Sequence, residues 1–92
     1  MKAEPQYELR VTGPAHRQLN RLPERSAVAI VEFMLGALIE NPYRVGGPLQ
    51  RELAGLRSAR RGAYRIVYGI DDDGSAVIVH RIDHRATVYR SR

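Results

Sequence analysis

Residues 63–82 read AYRIVYGIDDDGSAVIVHRI, and this stretch constrains the fold more than any other. In its first half, Tyr64, Ile66, Tyr68 and Ile70 alternate with Arg65 and Val67. A period of two puts one set of side chains on one face of a strand and the other set on the opposite face. Asp71-Asp72-Asp73-Gly74 then reads as a hairpin turn, with Asp-Gly supplying the positive φ that tight turns require. The return stretch, Ala76 to Ile82, is almost continuously apolar, as expected of a strand central in its sheet.

The chain upstream supplies the rest of the layer. Gln6 to Thr12 alternates, with Tyr7, Leu9 and Val11 on one face and Glu8 and Arg10 on the other, which predicts a half-buried strand. Thr12-Gly13-Pro14 is a helix start, with Ala15, Leu19 and Leu22 at helical spacing behind it. Leu22-Pro23 stops that helix and opens a second one, with Glu24 in its first turn, that runs to about Glu40. Val28, Ile30, Val31, Met34, Leu35, Leu38 and Ile39 cover much of its circumference, so it is expected to be the most buried element. Asn41-Pro42 ends it, Tyr43 to Glu52 reads as loop, and Leu53 to Ala59 is weakly strand-like. The expected order is β-α-α-β-β-β in a single domain spanning 1–92. This is an α+β fold, with two N-terminal helices packed on one face of a small, mostly antiparallel sheet. The opposite face, carrying Arg65, is expected to be open.

Composition narrows the function. Fifteen basic residues against ten acidic ones give a net charge of +5, the footprint of a polyanion binder. Arginine accounts for all of the basic residues but Lys2, so codon bias competes with that reading and placement has to decide. There is no cysteine, hence no disulfide and no thiolate nucleophile. The N-terminal segment has no apolar targeting core, and the apolar run Ala27 to Ile39 is broken by Glu32 and too short for a bilayer. A cytoplasmic protein with no membrane association is expected. No H-E-x-x-H, phosphate-binding glycine loop or G-x-S-x-G occurs. Asp71 to Asp73 is better explained by turn geometry than by a magnesium site. Neither a metal nor another cofactor is expected.

What remains is cationic. Arg57, Arg60, Arg61 and Arg65 lie within nine residues, and Arg81, His84, Arg85 and Arg90 follow on or after the last strand. If the last three strands are neighbours, the two groups converge across one sheet face. Guanidinium forks match phosphate oxygens, and arginine also stacks on unpaired bases. A merely solvated charged face is the competing explanation. Arg65 speaks against it, because it interrupts an otherwise apolar strand. His84 and Tyr89 are the candidates for proton transfer. His80 reads as a core or edge histidine and His16 as a surface residue of the first helix.

Several motifs then fall into a known pattern: Leu22-Pro23, Asn41-Pro42 ahead of Gly46-Gly47-Pro48-Leu49, Leu53-Ala54-Gly55-Leu56-Arg57, the block Arg60-Arg61-Gly62-Ala63-Tyr64-Arg65-Ile66-Val67-Tyr68, and the closing Ile82-Asp83-His84-Arg85-Ala86-Thr87-Val88-Tyr89-Arg90. Over nearly its whole length the chain resembles the RelE/ParE superfamily, and within it the RelE-like toxins of type II toxin–antitoxin systems. The resemblance implies an mRNA interferase, an endoribonuclease that cuts messages in the ribosomal A site without metal and so inhibits translation. It implies an acidic RelB-like antitoxin as partner. By position, Arg65, Arg85, Tyr89 and His84 correspond to catalytic residues of the family, with Arg60 matching the basic residue ahead of the glycine. Arg57, Arg61, Arg81 and Arg90 join Arg60 as candidate contacts to RNA or ribosome.

The chain also departs from the family pattern. Active sites of this type rely on lysines just before the Tyr-Arg block, and here that stretch is Leu56-Arg57-Ser58-Ala59. Arginine stays protonated and makes a poor general base. A further family arginine falls near Asp83. ParE-like chains share the fold and inhibit DNA gyrase by binding, so that alternative, or a catalytically weak member, stays open.

Overall fold

The computed structural model describes residues 7–84. Its elements are β1 (Glu8–Val11), α1 (Gly13–Asn20), α2 (Glu24–Phe33) continued by a π-helical turn (Met34–Leu38), β2 (Gly47–Pro48), a 3-10 turn (Arg51–Leu53), β3 (Arg57–Arg61), β4 (Tyr64–Asp71) and β5 (Ala76–His84). The five strands form one sheet in the order β1-β5-β4-β3-β2. β1 runs parallel to β5, and the other neighbours are antiparallel. The helices cover one face. Ile30, Phe33, Met34 and Leu38 pack there against Ile66, Tyr68, Val77, Val79 and Ile82. Burying each large aliphatic side chain contributes about 1.5–3 kcal/mol. The expected α+β arrangement and the interior position of β5 are both present.

Short polar contacts lock α1 to the sheet. The Thr12 hydroxyl accepts a hydrogen bond from the Ala15 amide, as a helix N-cap should, and donates to the His80 carbonyl, both at 3.3 Å. β1 pairs with β5 only as far as Val11 opposite Val79, which leaves the next part of the β5 edge without a strand. There the Ile82 amide donates to Gln18 Oε1 at 2.7 Å. A side chain of α1 thus does what a longer β1 would have done, satisfying a backbone donor that burial would otherwise leave unpaired.

Four expectations need correction. The second helix is not the most buried element. Val28 is 50% and Leu35 58% exposed, whereas Ile66, Val67, Tyr68, Val77 and Val79 are at most 1% exposed. The sheet interior is covered on both sides along β4 and β5, while one side of α2 faces outward. The third strand lies at Arg57–Arg61, not Leu53 to Ala59. Arg51–Leu53 wind into a 3-10 turn and Gly55 takes φ +97°, so the chain extends only after the glycine. The loop Tyr43 to Glu52 contains a two-residue edge strand, β2, where Pro48 is tolerated because an edge need not donate on both sides. In the β4–β5 turn the positive φ falls on Ser75, at +51°, and not on Gly74. A Cβ at Gly74 would sit 2.8 Å from Asp71 Oδ2, the tip of an exposed side chain that folds back to accept from the Gly74 amide.

Candidate nucleic-acid interface

Strand register decides which arginines share a face. β3, β4 and β5 pair Ala59 with Ile66 and Ile66 with Ile82, all buried under the helices. The adjacent rows therefore point the other way. Arg60 stands opposite Arg65, and Arg65 opposite Asp83. Ser58 stands opposite Val67, and Val67 opposite Arg81. Arg60, Arg65 and Arg81 thus share the face away from the helices, with Asp83 among them. A β-bulge at Val67/Tyr68 leaves His80 without a partner on β4, and its ring lies beside Gly69, on that same face.

The chemistry of this face is lopsided. Arg60 is exposed and Arg65 half-buried. Two guanidiniums directly across a strand pair repel one another, a cost worth bearing for an anionic ligand. Arg65 Nε is buried and has no hydrogen-bond partner. Asp83 is 7% exposed, and its Oδ2 lies 3.0 Å from Nη2 of the half-exposed Arg81. That contact is an ion pair whose angle falls outside hydrogen-bonding range, so Oδ2 retains an unused acceptor site. Arg60, Arg65 and Arg81 together offer this face's guanidinium donors to a phosphate.

The other candidates are placed elsewhere. Arg57 shares its row with Tyr68, on the helix side. Its Nη2 donates to the carbonyls of Tyr43 and Gly46, each at 2.9 Å, and its guanidinium carbon lies 5.2 Å from the Tyr43 ring centroid. It pins the loop before β2 to the sheet. Arg61 lies on the helix side too, 5.1 Å over the Phe33 ring, where α2 and the β3–β4 hairpin enclose a groove of about 580 Å³ that Arg25 and Tyr64 also line. His84 shares the row of Tyr64, with the two rings edge-to-face at 5.1 Å. The two arginine groups therefore divide between the faces, because neighbours in a strand alternate. Arg85, Tyr89 and Arg90 lie outside the described residues. Of the other histidines, His16 is exposed on α1.

Two features escaped the reading of the sequence. Asp83 is two residues beyond Arg81 and so on its face, and the hairpin register places it opposite Arg65; counting strand parity would have found it. Asp72 is the second. Its carboxylate accepts from the hydroxyls of Tyr7, at 2.9 Å, and Tyr43. These bonds to the charged form hold the Asp72 carboxyl below its ordinary value, and they raise both tyrosines. Tyr68 is raised by burial, with Arg57 opposing.

The sequence matches the model of the family described as ParE toxin of type II toxin–antitoxin system, parDE, over residues 9–89. It is 54% identical over 84 residues to Toxin RelG of Mycobacterium tuberculosis, covering 91% of this chain and 97% of that one. To Toxin RelE of the same organism it is 50% identical over 84 residues, covering 91% and 87%. Among solved structures, the toxin–antitoxin complex RelBE2 from M. tuberculosis contains a chain that superposes with a TM-score of 0.84 at 53% identity, covering 88% of this chain and 93% of that one.

Proposed function

The chain belongs to the RelE/ParE family of type II toxins, and from that premise we propose that it is a ribosome-dependent mRNA interferase that acts without metal. The observation that carries this reading is the sheet face away from the helices, on which Arg60, Arg65 and Arg81 converge and Arg65 Nε has no hydrogen-bond partner. In the reaction the 2′-oxygen of one nucleotide attacks its own 3′-phosphate. Charge builds on the non-bridging oxygens of a five-coordinate phosphorus. Arg65, set in β4 between β3 and β5, donates to those oxygens; Arg60 and Arg81 hold the flanking phosphates. Stabilisation by fixed donors of this kind is commonly the largest single contribution to such catalysis. Arg85 and Tyr89, which follow β5 in sequence, serve the leaving 5′-oxygen and the base stacked beside it. His84 contributes from the rim against Tyr64. Arg90 adds to the attraction for RNA.

The partner fits the same electrostatics. A chain of net charge +5 with an arginine-bearing sheet face calls for an acidic, RelB-like antitoxin whose segment binds that face and folds as it binds. The RelBE2 complex, a toxin paired with its antitoxin, supports this.

The ParE description of the matching family favours a second reading, inhibition of DNA gyrase by binding. One pair of assays separates the two. Purified chain added to a reconstituted bacterial translation system is expected to fragment the message, and to leave gyrase supercoiling unchanged at the same concentration. Intact message with blocked supercoiling would overturn the nuclease reading in favour of the second.

A further inference from the structure

Among the described residues there is no lysine to take the 2′-hydroxyl proton, and His84 points its ring to Tyr64 on the helix side. The geometry points to Asp83 as the general base, an assignment that rests on the nuclease reading. Two buried, unsatisfied atoms stand on directly paired residues of one face: Arg65 Nε needs an acceptor and Asp83 Oδ2 needs a donor. The reacting unit of an RNA strand offers both, side by side, as phosphate oxygen and 2′-hydroxyl. A DNA strand lacks the hydroxyl and leaves Oδ2 empty.

Arg81 is the cover of this site. Its side chain is 53% exposed, against 8% for Asp83, and it meets Oδ2 at 3.0 Å without hydrogen-bond alignment. When an incoming phosphate draws the Arg81 guanidinium outward, Oδ2 is uncovered beside the ribose. The 2′-hydroxyl proton passes to the Asp83 carboxylate as the 2′-oxygen–phosphorus bond forms. The phosphorus–5′-oxygen bond breaks, and the leaving oxygen takes a proton from water. The products are a 2′,3′-cyclic phosphate and a 5′-hydroxyl, and Asp83 returns its proton to the solvent.

The test is single-turnover cleavage of a defined mRNA on ribosomes with an open A site, with binding to the same ribosomes measured in parallel. Asp83→Asn keeps an oxygen for Arg81 but cannot accept the proton. Its cleavage rate is expected to fall by at least about 100-fold with affinity unchanged, while Asp83→Glu keeps more than about a tenth of the wild-type rate. If the Asn variant fails to fold by circular dichroism, Asp83→Ser takes its place with the same expectation. Cleavage by the neutral variant within about threefold of wild type, equal losses in the neutral and Glu variants, or a loss confined to affinity would each overturn the assignment. Wild-type protein that leaves the message whole would instead refute the nuclease reading, and Asp83's role with it.

Discussion

Tyr43 donates its hydroxyl to Asp72 across 29 residues of chain, and Tyr7 joins the same carboxylate from a separation of 65. One turn residue thereby ties the strand entering the fold to the loop that follows the helices.

This clamp makes stability depend on pH at both ends. Asp72 titrates below its ordinary value of 3.8, so its contribution is fully present above that pH and is lost as the pH falls through the lowered value. Tyr7 and Tyr43 titrate above 10.0, so theirs is fully present below that pH and is lost as the pH rises through the raised values. Asp72→Asn still accepts hydrogen bonds but carries no charge. Its urea midpoint is expected to fall less steeply than that of wild type below about pH 4 and above about pH 10. Superimposable pH profiles would show that the clamp is not formed in solution.

Tyr68 is fully buried, and its hydroxyl donates to the Pro42 carbonyl at 2.6 Å. Tyr68→Phe leaves that carbonyl unpaired under the sheet. It is expected to cost about 1–3 kcal/mol in chemical denaturation.

Arg57 and Arg60, on opposite faces of the sheet, should separate by readout. Arg57→Lys moves the donor away from the position from which Nη2 reaches both carbonyls and loses the stacking on Tyr43, so stability is expected to drop by about 1–3 kcal/mol. RNA affinity of the folded fraction is expected to stay the same. Arg60→Ala, at an exposed position, is expected to do the reverse: little change in stability, and a salt dependence of RNA binding shallower by about 0.7. A fall in the salt slope for Arg57→Lys would place that residue on the RNA.

Much of this was legible in the sequence, for identifiable reasons. The strong alternation around Ile66 predicted β4 through the two-residue period a sheet imposes, and the nearly continuous apolar run Ala76 to Ile82 predicted β5 as a strand buried between neighbours. Pro14, Pro23 and Pro42 marked the helix boundaries, because proline restricts the backbone on both sides of itself. The site was only half legible. Arg65 announced itself by interrupting an apolar strand. Arg57 and Arg61 looked equivalent to Arg60 because proximity in sequence ignores strand parity. The π-helical turn at Met34–Leu38, the bulge opposite Val67/Tyr68 and the fold-back of Asp71 onto Gly74 depend on tertiary packing and leave no local signature. Asp72 looked like a turn residue and is one, but its partners lie far off in the chain.

Arg65 is the residue on which the electrostatic account turns. Arg65→Ala is expected to reduce mRNA cleavage by roughly 10²–10³-fold with the unfolding transition nearly unchanged, since the guanidinium Nε makes no bond within the fold. Arg65→Lys is expected to recover little, because a point charge cannot reproduce the fork. Arg65→Ala combined with Arg85→Ala is expected to abolish growth arrest, and arrest persisting with folded protein would remove both from the site.

The most direct measurement is induction of this chain alone in a bacterial host, followed within minutes by primer-extension mapping of an abundant message, beside the Arg65→Ala variant. Discrete cuts inside translated codons, dependent on translation and absent from the variant, are the expected result. Growth arrest with intact messages and damaged chromosomal DNA would contradict it.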